Sequence, residues 1–464
     1  MHVWKVGIVG GGPGGLMTAY ALQKQANCPL RVTLFEASSR LGGKILTPQF
    51  RAAPGHLPVR YEAGAAEFYD YSQFDDDPLK DLIAELGLPI RPMGGPAVVM
   101  NQQVLANQDD IRDHLGPQAS RALLAFDRLA KDQMTPREFY YADDLAESTP
   151  LDAGRRVAGA DHRFDAVLQG VKDSQARHYV ENLIHSDLAA EPRQTSQGYG
   201  LQNYLMNDPA YMHLYGIEGG NERLPQALAA RLCATILLEH QVQRVAKDGN
   251  RLRISSVRCG ETRHDDFDFV VIALPHNHVS SVEYCGELLA GAIQQHQAHY
   301  DHPAHYLRIT ILFDRPFWRN AFTDSYWMLD QFGGCCLYDE SSRDPHCPQG
   351  VLGWLVGGDA ARDMSQLSDK ELIEAALYSL PDFLAKGRLP AIEGRVHRWI
   401  AAVNALPGGV VPKNLDRRHQ PEPLEHPNLY LVGDYLFDST LNGVLDSAEY
   451  VASWLAAQMA DHPE

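Results

Sequence analysis

Five glycines among residues 10–15 form the most chemically informative short segment of the chain. Gly10, Gly12 and Gly15 have the spacing G-x-G-x-x-G, and Gly14 lies between the last two. Glycine permits a tight turn, lets the backbone approach a pyrophosphate, and lets a helix pack closely on a strand. A helix that begins at such a turn presents free N–H groups and a positive dipole to phosphates. The segment therefore predicts a binding site for the diphosphate of a dinucleotide.

Glu36 supplies a second feature of a dinucleotide site. It lies 21 residues after Gly15, at the end of an apolar run, where a carboxylate can accept hydrogen bonds from ribose hydroxyls. The same charge disfavours a cofactor with a 2′-phosphate, such as NADP. Together the glycines and Glu36 predict dinucleotide binding, and the alternative is an ordinary glycine-rich turn.

The sequence around these residues predicts the elements that position them. Residues 6–9 form a short buried strand, and the apolar residues of 16–22 have helical spacing. Residues 31–35 form a second strand that ends at Glu36. A short crossover between consecutive strands implies that they are parallel. We therefore expect a Rossmann-like sheet with the glycine loop between its first strand and first helix.

Composition and charge restrict the class of protein. The 464 residues are 45% hydrophobic and 22% charged, which is ordinary for a globular chain of two or three domains. The net charge of −18 disfavours nucleic acid or an anionic membrane as the main partner. A small neutral or cationic substrate fits this charge better.

Cysteine usage predicts free thiols rather than a disulfide framework. The seven cysteines are an odd number without a C-x-x-C spacing, and a chain this long needs neither disulfides nor a metal to stabilise its core. We therefore expect reduced thiols in the cytoplasm, with a redox pair at Cys335 and Cys336 as the alternative. No apolar run reaches the roughly 18 residues of a membrane span, and the amino terminus lacks a signal-peptide pattern.

The segment after the second strand carries a resemblance to a known family. Residues 40–44 read R-L-G-G-K. Following a glycine loop and a strand that ends in glutamate, this run resembles the R-x-G-G-R of the flavin-containing amine oxidase superfamily, which includes monoamine, polyamine and L-amino-acid oxidases. The resemblance implies that Arg40 faces the phosphates and that Gly42 and Gly43 approach the cofactor. Lys44 keeps the charge of the second arginine but loses its fork geometry.

Further segments extend the resemblance over nearly the whole chain. They are 61–66 for E-x-G-A, 219–225 for G-G-x-x-x-L-P, 241–242 at the adenine-ribose end, 314–318 for x-x-P-F-W, 433–434 at the ribityl chain, and 443–447 for G-W-I-D-S. The resemblance implies FAD rather than NAD as the cofactor. The FAD-contacting residues implied in these segments are Gly64, Ala65, Ala66, Val242, Gly433, Asp434, Gly443, Val444 and Leu445.

The resemblance also implies the fold. We expect an α/β protein in which a Rossmann-like, glutathione-reductase-type FAD-binding domain is interleaved with an α+β substrate domain. The FAD-binding domain would comprise 1–71, 214–282 and 400–464. The substrate domain would comprise 72–213, which is mainly helical, and 283–399, which carries a sheet.

The carboxyl-terminal helix has an expected role at the flavin. We predict it over residues 445–460, with its amino end, near Val444 and Leu445, facing the flavin pyrimidine edge. The helix dipole would stabilise the negative charge of reduced flavin there. Monoamine oxidases attach flavin to a cysteine in the segment corresponding to 399–409, which has no cysteine in this chain. We therefore expect noncovalent FAD, with attachment through one of the 20 histidines as the alternative.

Three departures from the family pattern bear on the substrate. Arg308 occupies the place of a lysine that many members bridge through water to flavin N5, and the alternative is a surface strand arginine. Glu67 replaces an arginine that binds the substrate carboxylate in L-amino-acid oxidases, so it should attract an ammonium group instead. Trp399 is expected near one position of the aromatic pair over the flavin, whereas Val444 replaces the tryptophan of G-W-I-D-S.

The group that binds the amine is therefore expected to differ from the family pattern. We hypothesise that Glu67, with Asp70 as a second carboxylate, holds the amine or another cationic group. The alternative is that Glu67 points away from the flavin into a hydrogen-bond network. The remaining aromatic candidates, each with core packing as its alternative role, are Tyr69, Tyr211, Tyr215, Tyr326 and Trp327.

The predicted reaction is oxidation of a C–N bond in an amine or L-amino acid to an imine, with hydride transfer to flavin N5 and reoxidation by O2 to give H2O2. Arg308, Glu67 and Trp399 are the candidate catalytic residues. One alternative is a flavin oxidoreductase of the same fold that desaturates a C–C bond, as in protoporphyrinogen or phytoene oxidation. Another is a non-catalytic FAD-binding protein. The substrate, the electron acceptor and the oligomeric state, including a homodimer, stay open.

Overall fold

The structure of the protein is a computed structural model. It describes residues 2–51, 58–73, 76–95, 97–136, 139, 162–344, 347–385, 391–410, 413–437 and 439–461. Every candidate site residue named above lies in these ranges, whereas parts of the predicted helical segment 72–213 lie outside them.

The described residues form strands β1–β19 and helices α1–α14. The strands are β1 Trp4–Val9, β2 Leu30–Phe35, β3 Phe68–Asp70, β4 Ile90–Met93, β5 Ala97–Met100, β6 Gln103–Leu105, β7 His213–Ile217, β8 Ala234–Leu237, β9 Gln241–Asp248, β10 Arg251–Arg258, β11 Glu261–Phe267, β12 Phe269–Ile272, β13 Glu283–Cys285, β14 Pro303–Phe313, β15 Tyr326–Leu329, β16 Cys335–Asp339, β17 Gly350–Gly357, β18 Ala391–Asn404 and β19 Leu429–Leu431. The helices are α1 Pro13–Gln25, α2 Pro78–Glu85, α3 Gln108–Gln133, α4 Phe164–Gly170, α5 Ser174–Leu188, α6 Gln197–Leu205, α7 Arg223–Arg231, α8 His276–Val279, α9 Glu287–His299, α10 Gly358–Met364, α11 Asp369–Tyr378, α12 Asp382–Ala385, α13 Leu415–His419 and α14 Leu441–Asp461. Short 3-10 turns occur at Pro192–Gln194, Phe317–Asn320, Glu340–Arg343 and Asp434–Leu436.

A five-stranded parallel sheet has the strand order β19–β12–β1–β2–β8. β12 is buried along its whole length, as expected for a parallel strand that is covered on both faces. Helices α1 and α14 pack together on one face, where Leu16, Val451 and Leu455 are fully buried. This sheet confirms the predicted Rossmann-like α/β arrangement.

A seven-stranded mixed sheet has the order β18–β14–β17–β16–β15–β5–β6. Only the β15–β5 pair within it is parallel. Side chains of α3 and α5 pack on one face of this sheet, and α10 and α11 pack on the other. Two smaller sheets complete the fold, one with the order β11–β10–β9–β13 and one with the order β3–β7–β4.

Local sequence signals explain several of these elements. Pro13 stands at the first position of α1, where its missing N–H would be unpaired in any case. The spacing of Ser368 and Glu371 predicts a capping box at the start of α11, and the box is present, because Ser368 accepts from the Glu371 N–H while the Glu371 carboxylate accepts from the Ser368 N–H. Gly87 follows α2 as a glycine typical of a helix end, and its φ is +69°.

Three element boundaries differ from the sequence-based expectation. The apolar run of residues 267–274 predicts one strand, but the chain passes there from β11 to β12 at Asp268, whose carboxylate accepts the Lys5 N–H at 2.8 Å. The helix expected from residue 445 begins at Leu441. The segment 72–213 also contributes strands, since β5 and β6 extend the edge of the seven-stranded sheet.

Among the described residues, no helix combines the length and the apolar character that a transmembrane segment needs.

Candidate functional site

The glycine loop between β1 and α1 has a geometry that other residues do not fit. Gly10 has a φ of +112°, and a Cβ atom there would lie 2.4 Å from the Ala273 carbonyl oxygen. A Cβ atom on Gly15 would lie 2.0 Å from the Gly10 carbonyl oxygen. A Cβ atom on Gly12 would have only Gly43 nearby, at 3.7 Å. The first turn of α1 therefore stays close to β1, as a phosphate-binding turn requires.

Glu36 follows the end of β2 and is hydrogen-bonded to this loop. Its Oε2 atom accepts the Gly11 N–H at 2.8 Å, and its Oε1 atom accepts the Ser38 N–H at 2.8 Å. A carboxylate has about four acceptor positions, so Glu36 keeps capacity for ribose hydroxyls. The structure thus places Glu36 beside the glycine loop, where the sequence predicted it.

A second glycine turn lies against the first. The Gly42 N–H donates to the Gly11 carbonyl at 2.8 Å. Gly43 has a φ of +52°, and a Cβ atom there would lie 3.1 Å from the Cα of Gly12. The guanidinium of Arg40 bends over this turn and donates to carbonyl oxygens within residues 41–45.

Lys44 and Asp434 connect the two glycine turns to the last strand of the parallel sheet. Lys44 Nζ lies 2.7 Å from Asp434 Oδ2 and also donates to the Ala402 carbonyl at 2.8 Å. The Gly433 N–H donates to Ser447 Oγ at 3.1 Å, which links this strand end to α14. Two residues predicted to contact the cofactor separately therefore form an ion pair with each other.

The first turns of α14 pack directly on the glycine loop. A Cβ atom on Gly14 would lie 3.3 Å from Val432 and 3.7 Å from Val444. Val444 and Leu445 are buried, and the Gly443 N–H donates to the Thr440 hydroxyl. Val242, predicted at the adenine-ribose end, is buried in β9.

The backbone of residues 62–66 is held by side chains from several elements. Arg308 Nε donates to the Glu62 carbonyl at 3.1 Å, and Trp399 Nε1 donates to the Ala63 carbonyl at 2.6 Å. Asn221 Nδ2 donates to the Ala65 and Ala66 carbonyls at 2.9 and 3.1 Å, and Arg343 also donates to the Ala66 carbonyl. A Cβ atom on Gly64 would lie 1.8 Å from the Lys44 carbonyl oxygen. The segment is therefore fixed in place, and Trp399 contributes by orienting it.

Arg308 is not a surface residue, so that alternative is wrong. Its side chain in β14 is fully buried and forms an ion pair with Glu340, which is also fully buried. Its guanidinium lies 4.4 Å from the centre of the Tyr338 ring. The Nη1 atom has no hydrogen-bond partner among the described residues. Nε and Nη2 therefore donate within the protein, whereas the donors of Nη1 have no acceptor among the described residues.

Glu67 is bound through one carboxylate oxygen. Its Oε2 atom accepts the Tyr338 hydroxyl at 2.9 Å. Burial raises the pKa of Glu67, while the Tyr338 hydrogen bond and the Arg308 charge act to lower it. Asp70, the second carboxylate of the hypothesis, forms an ion pair with Lys80, whose Nζ lies 2.6 Å from Asp70 Oδ2.

A cavity beside Glu67 contains a carboxylate that the sequence did not indicate. Asp187 lines this cavity with four tyrosines, and its Oδ2 atom accepts from Asn207 Nδ2 at 3.1 Å. Burial raises the pKa of Asp187 to about 7, the Asn207 hydrogen bond lowers it, and the charge of Glu67 raises it. The tyrosines are Tyr69, Tyr71, Tyr199 and Tyr306.

The predicted aromatic candidates divide between the cavity and the core. Tyr69 lines the cavity. The ring of Tyr326 lies 6.0 Å from that of Tyr338. The other three pack in hydrophobic clusters, with Tyr211 donating to the Met134 carbonyl, Tyr215 stacking on Phe68, and Trp327 stacking on Phe322.

Sequence signals for the missed cavity residues were weak. Asp187 stands at the end of α5 between buried Ser186 and buried Leu188, so its only signal was a carboxylate inside an apolar stretch. Tyr306 in β14 and Asn404 in β18 reach the cavity through long-range sheet pairing. No spacing along the chain reports that pairing.

Comparisons with known proteins identify the family. The chain matches the family described as flavin containing amine oxidoreductase over residues 13–455. Polyamine oxidase 4 of Oryza sativa subsp. japonica is 22% identical over 411 residues, which cover 86% of this chain and 76% of that protein. The chain belongs to the flavin-containing amine oxidoreductase family.

Solved structures share the fold at low sequence identity. Cyclohexylamine oxidase from Brevibacterium oxydans IH-35A matches with a TM-score of 0.71 at 19% identity, covering 99% of this chain and all of that one. Putrescine oxidase bound to putrescine matches with a TM-score of 0.71 at 18% identity and covers 99% of this chain. At these identities the likeness concerns the fold alone.

The residues of the parallel-sheet half fit a flavin dinucleotide. Gly10 and Gly15 leave no room for a Cβ atom, the space beside Gly12 is open except for Gly43, and Glu36 retains acceptor capacity beside the loop. α1 begins at the loop, so its amino terminus can face phosphates. These residues therefore fit the flavin that the family description names.

Proposed function

We propose that the protein is an FAD-dependent oxidoreductase that oxidises the C–N bond of a cationic amine to an imine, which water then hydrolyses. The observation that carries the proposal is Asp187 in a cavity lined by tyrosines, with Glu67 near enough for its charge to raise the pKa of Asp187. Two carboxylates attract an ammonium group, and aromatic faces favour a cation as well. Family membership supports the redox chemistry.

The cavity favours amines over α-amino acids. No arginine or lysine is present among the described residues that line it. Arg308 and Arg343 lie nearby, but Glu340 pairs with both of them. A substrate carboxylate would therefore meet the negative charge of Glu67, and that of Asp187 when it is ionised, with no cation among the described lining residues to balance them. Two carboxylates further favour an amine that carries a second cationic group, such as a diamine.

The cofactor supplies the redox step and the chain supplies binding. Noncovalently bound FAD would supply the redox chemistry, namely uptake of a hydride from the carbon next to nitrogen and transfer of the two electrons to O2, the proposed final acceptor, to give H2O2. Glu36 and the glycine turns would hold the dinucleotide. The backbone of residues 62–66, which side chains from several elements fix in place, would contact the cofactor. Glu67 and Asp187 would orient the ammonium group, and Asp187 can accept its proton near neutral pH.

A peroxide assay with Glu67→Gln tests the proposal. The purified holoenzyme should oxidise monoamines or diamines and leave α-amino acids untouched. Glu67→Gln should raise KM for the best amine about tenfold and keep the FAD content, because it removes a charge that the substrate meets. Asp70→Asn is the matched control, since Asp70 binds Lys80, and it should lower stability and keep KM. Oxidation of α-amino acids with an unchanged KM in Glu67→Gln would contradict the proposal.

A further inference from the structure

Tyr338 connects the carboxylate of Glu67 to a buried cation. The side chain lies in β16, is 3% exposed, and donates its hydroxyl hydrogen to Glu67 Oε2 at 2.9 Å. The face of the same ring lies 4.4 Å from the guanidinium of Arg308. One tyrosine therefore contacts the Glu67 carboxylate with its hydroxyl and the buried arginine with the face of its ring.

Arg308 is held in position for this contact from two other sides. Its Nε atom donates to the Glu62 carbonyl at 3.1 Å, and its Nη2 atom pairs with Glu340. A planar guanidinium can make these two contacts and stack on a ring at the same time, whereas an ammonium group is a point donor. This explains why an arginine occupies the place where many family members have a lysine.

Glu67 has charged and titratable neighbours on every element packed around it. Two carboxylates oppose the ionisation of Glu67 by like-charge repulsion, Asp187 on α5 and Glu340 in the turn that follows β16. Those that favour its ionisation are Tyr338, Arg308 and Arg343. The negative charge of Glu67 also raises the pKa of four neutral titratable groups, Tyr69, Tyr306, Tyr326 and Cys336. Among the described residues, Tyr338 is the side chain that donates a hydrogen bond to Glu67.

We propose that Tyr338 is a positioning residue that fixes the orientation of Glu67 and keeps its carboxylate charged. Arg308, which packs on the face of the Tyr338 ring, holds the tyrosine in place. This inference rests on one part of the proposed function, the binding of the cationic substrate by Glu67. Tyr338 would then act on substrate affinity through Glu67, without contact to the reacting atoms. Loss of the Tyr338 hydroxyl removes one hydrogen bond to the charged Glu67 carboxylate. It should weaken cation binding by about tenfold, the lower end of what such a bond contributes.

Equilibrium binding of benzyltrimethylammonium tests this without turnover. The quaternary nitrogen has no lone pair, so the compound cannot be oxidised to an imine, and it reports on the charge of the pocket alone. Binding to the holoenzyme would be followed by the change in flavin absorbance, with benzyl alcohol as a neutral probe. Tyr338→Phe should raise Kd for the cation about tenfold at pH 7 and leave Kd for benzyl alcohol unchanged.

The pH profile separates positioning from a loss of structure. Glu67 binds the cation when ionised, so binding is lost as the pH falls through the pKa of Glu67. Because Tyr338→Phe removes a group that lowers this pKa, the midpoint of the loss should move to higher pH. Tyr284→Phe is the matched control, since it removes a buried hydroxyl of β13 that has no hydrogen-bond partner among the described residues.

A double-mutant cycle completes the test. In a Glu67→Gln background, Tyr338→Phe should have no further effect on Kd. An equal loss in both backgrounds, or an unchanged Kd and midpoint in the single variant, would overturn the inference. If the cycle holds while no amine is oxidised, Tyr338 still positions Glu67 and the proposed reaction is wrong. If amines are oxidised while the cycle fails, only the role of Tyr338 is wrong.

Discussion

The ammonium group of Lys44 lies 2.7 Å from the carboxylate of Asp434, with the two side chains 28% and 12% exposed. This ion pair joins the second glycine turn to the strand end that precedes α14. Lys44 is the residue that departs from the family's second arginine, and its pairing explains how the charge is used. The pair places two of the predicted cofactor-binding segments in direct contact.

The Lys44–Asp434 pair should stabilise the flavin-loaded protein by about 1 kcal/mol, between the values of exposed and buried pairs. Lys44→Met should lower the temperature at which flavin fluorescence appears on heating, because it leaves Asp434 without its cation. Lys44→Met combined with Asp434→Asn should release flavin at no lower temperature than Lys44→Met alone. Strictly additive losses from the two single variants would show that the residues act independently.

FAD should leave the protein on denaturation. Residues 399–409 contain no cysteine, so the attachment route implied by the family resemblance is absent from that segment. After acid precipitation and centrifugation, the yellow colour should be found in the supernatant. Colour that stays in a washed pellet would demonstrate a covalent link through another residue.

Glu36→Ala should weaken FAD binding by about 10- to 100-fold, since it removes hydrogen bonds to a charged acceptor. The same change leaves the Gly11 N–H and Ser38 N–H without their acceptor, so the loop should also become less ordered. Titration of the apoprotein with FAD measures the effect. Glu36→Gln is the matched control and should lose less affinity because it retains one acceptor oxygen. Turnover at saturating FAD should be unchanged, and an unaltered FAD affinity in Glu36→Ala would refute a cofactor role.

Asp187→Asn should change how stability depends on pH. Burial raises the pKa of Asp187 from 3.8 to about 7, so folding takes up a proton between these pH values. The stability from protonated Asp187 is therefore complete below pH 3.8 and is lost as the pH rises through about 7. The variant carries no such ionisation, so at pH 8 it should melt about 1–2 °C above the wild type, and at pH 5 the difference should be smaller. Melting curves that run in parallel from pH 5 to 8 would contradict this account.

Local patterns predicted the dinucleotide half of the protein well. The loop of residues 10–15, the helix that follows it and Glu36 lie within one strand–helix–strand unit, where short-range spacing determines the structure. The capping box of Ser368 and Glu371 is similarly local. Such features depend on neighbours within a few residues, which a sequence displays directly.

The substrate half was less predictable because its contacts are long-range. Asp187 reaches Glu67 across 120 positions of the chain, and Tyr338 reaches it across 271. Arg308 looked like a strand residue that could face solvent, and only the pairing of β14 between β17 and β18 buries it. Hydrophobic periodicity reports which face of a strand is buried, but not which strands become neighbours.

Anaerobic mixing of the holoenzyme with amines tests the central claim most directly. A cationic monoamine or diamine should bleach the yellow flavin absorbance, and admission of O2 should restore it with formation of peroxide. An α-amino acid at the same concentration should leave the colour unchanged, because Glu67 and Asp187 repel its carboxylate. Bleaching by a tetrapyrrole or a carotenoid, but by no amine, would contradict the account, and so would a flavin that no compound of the panel reduces.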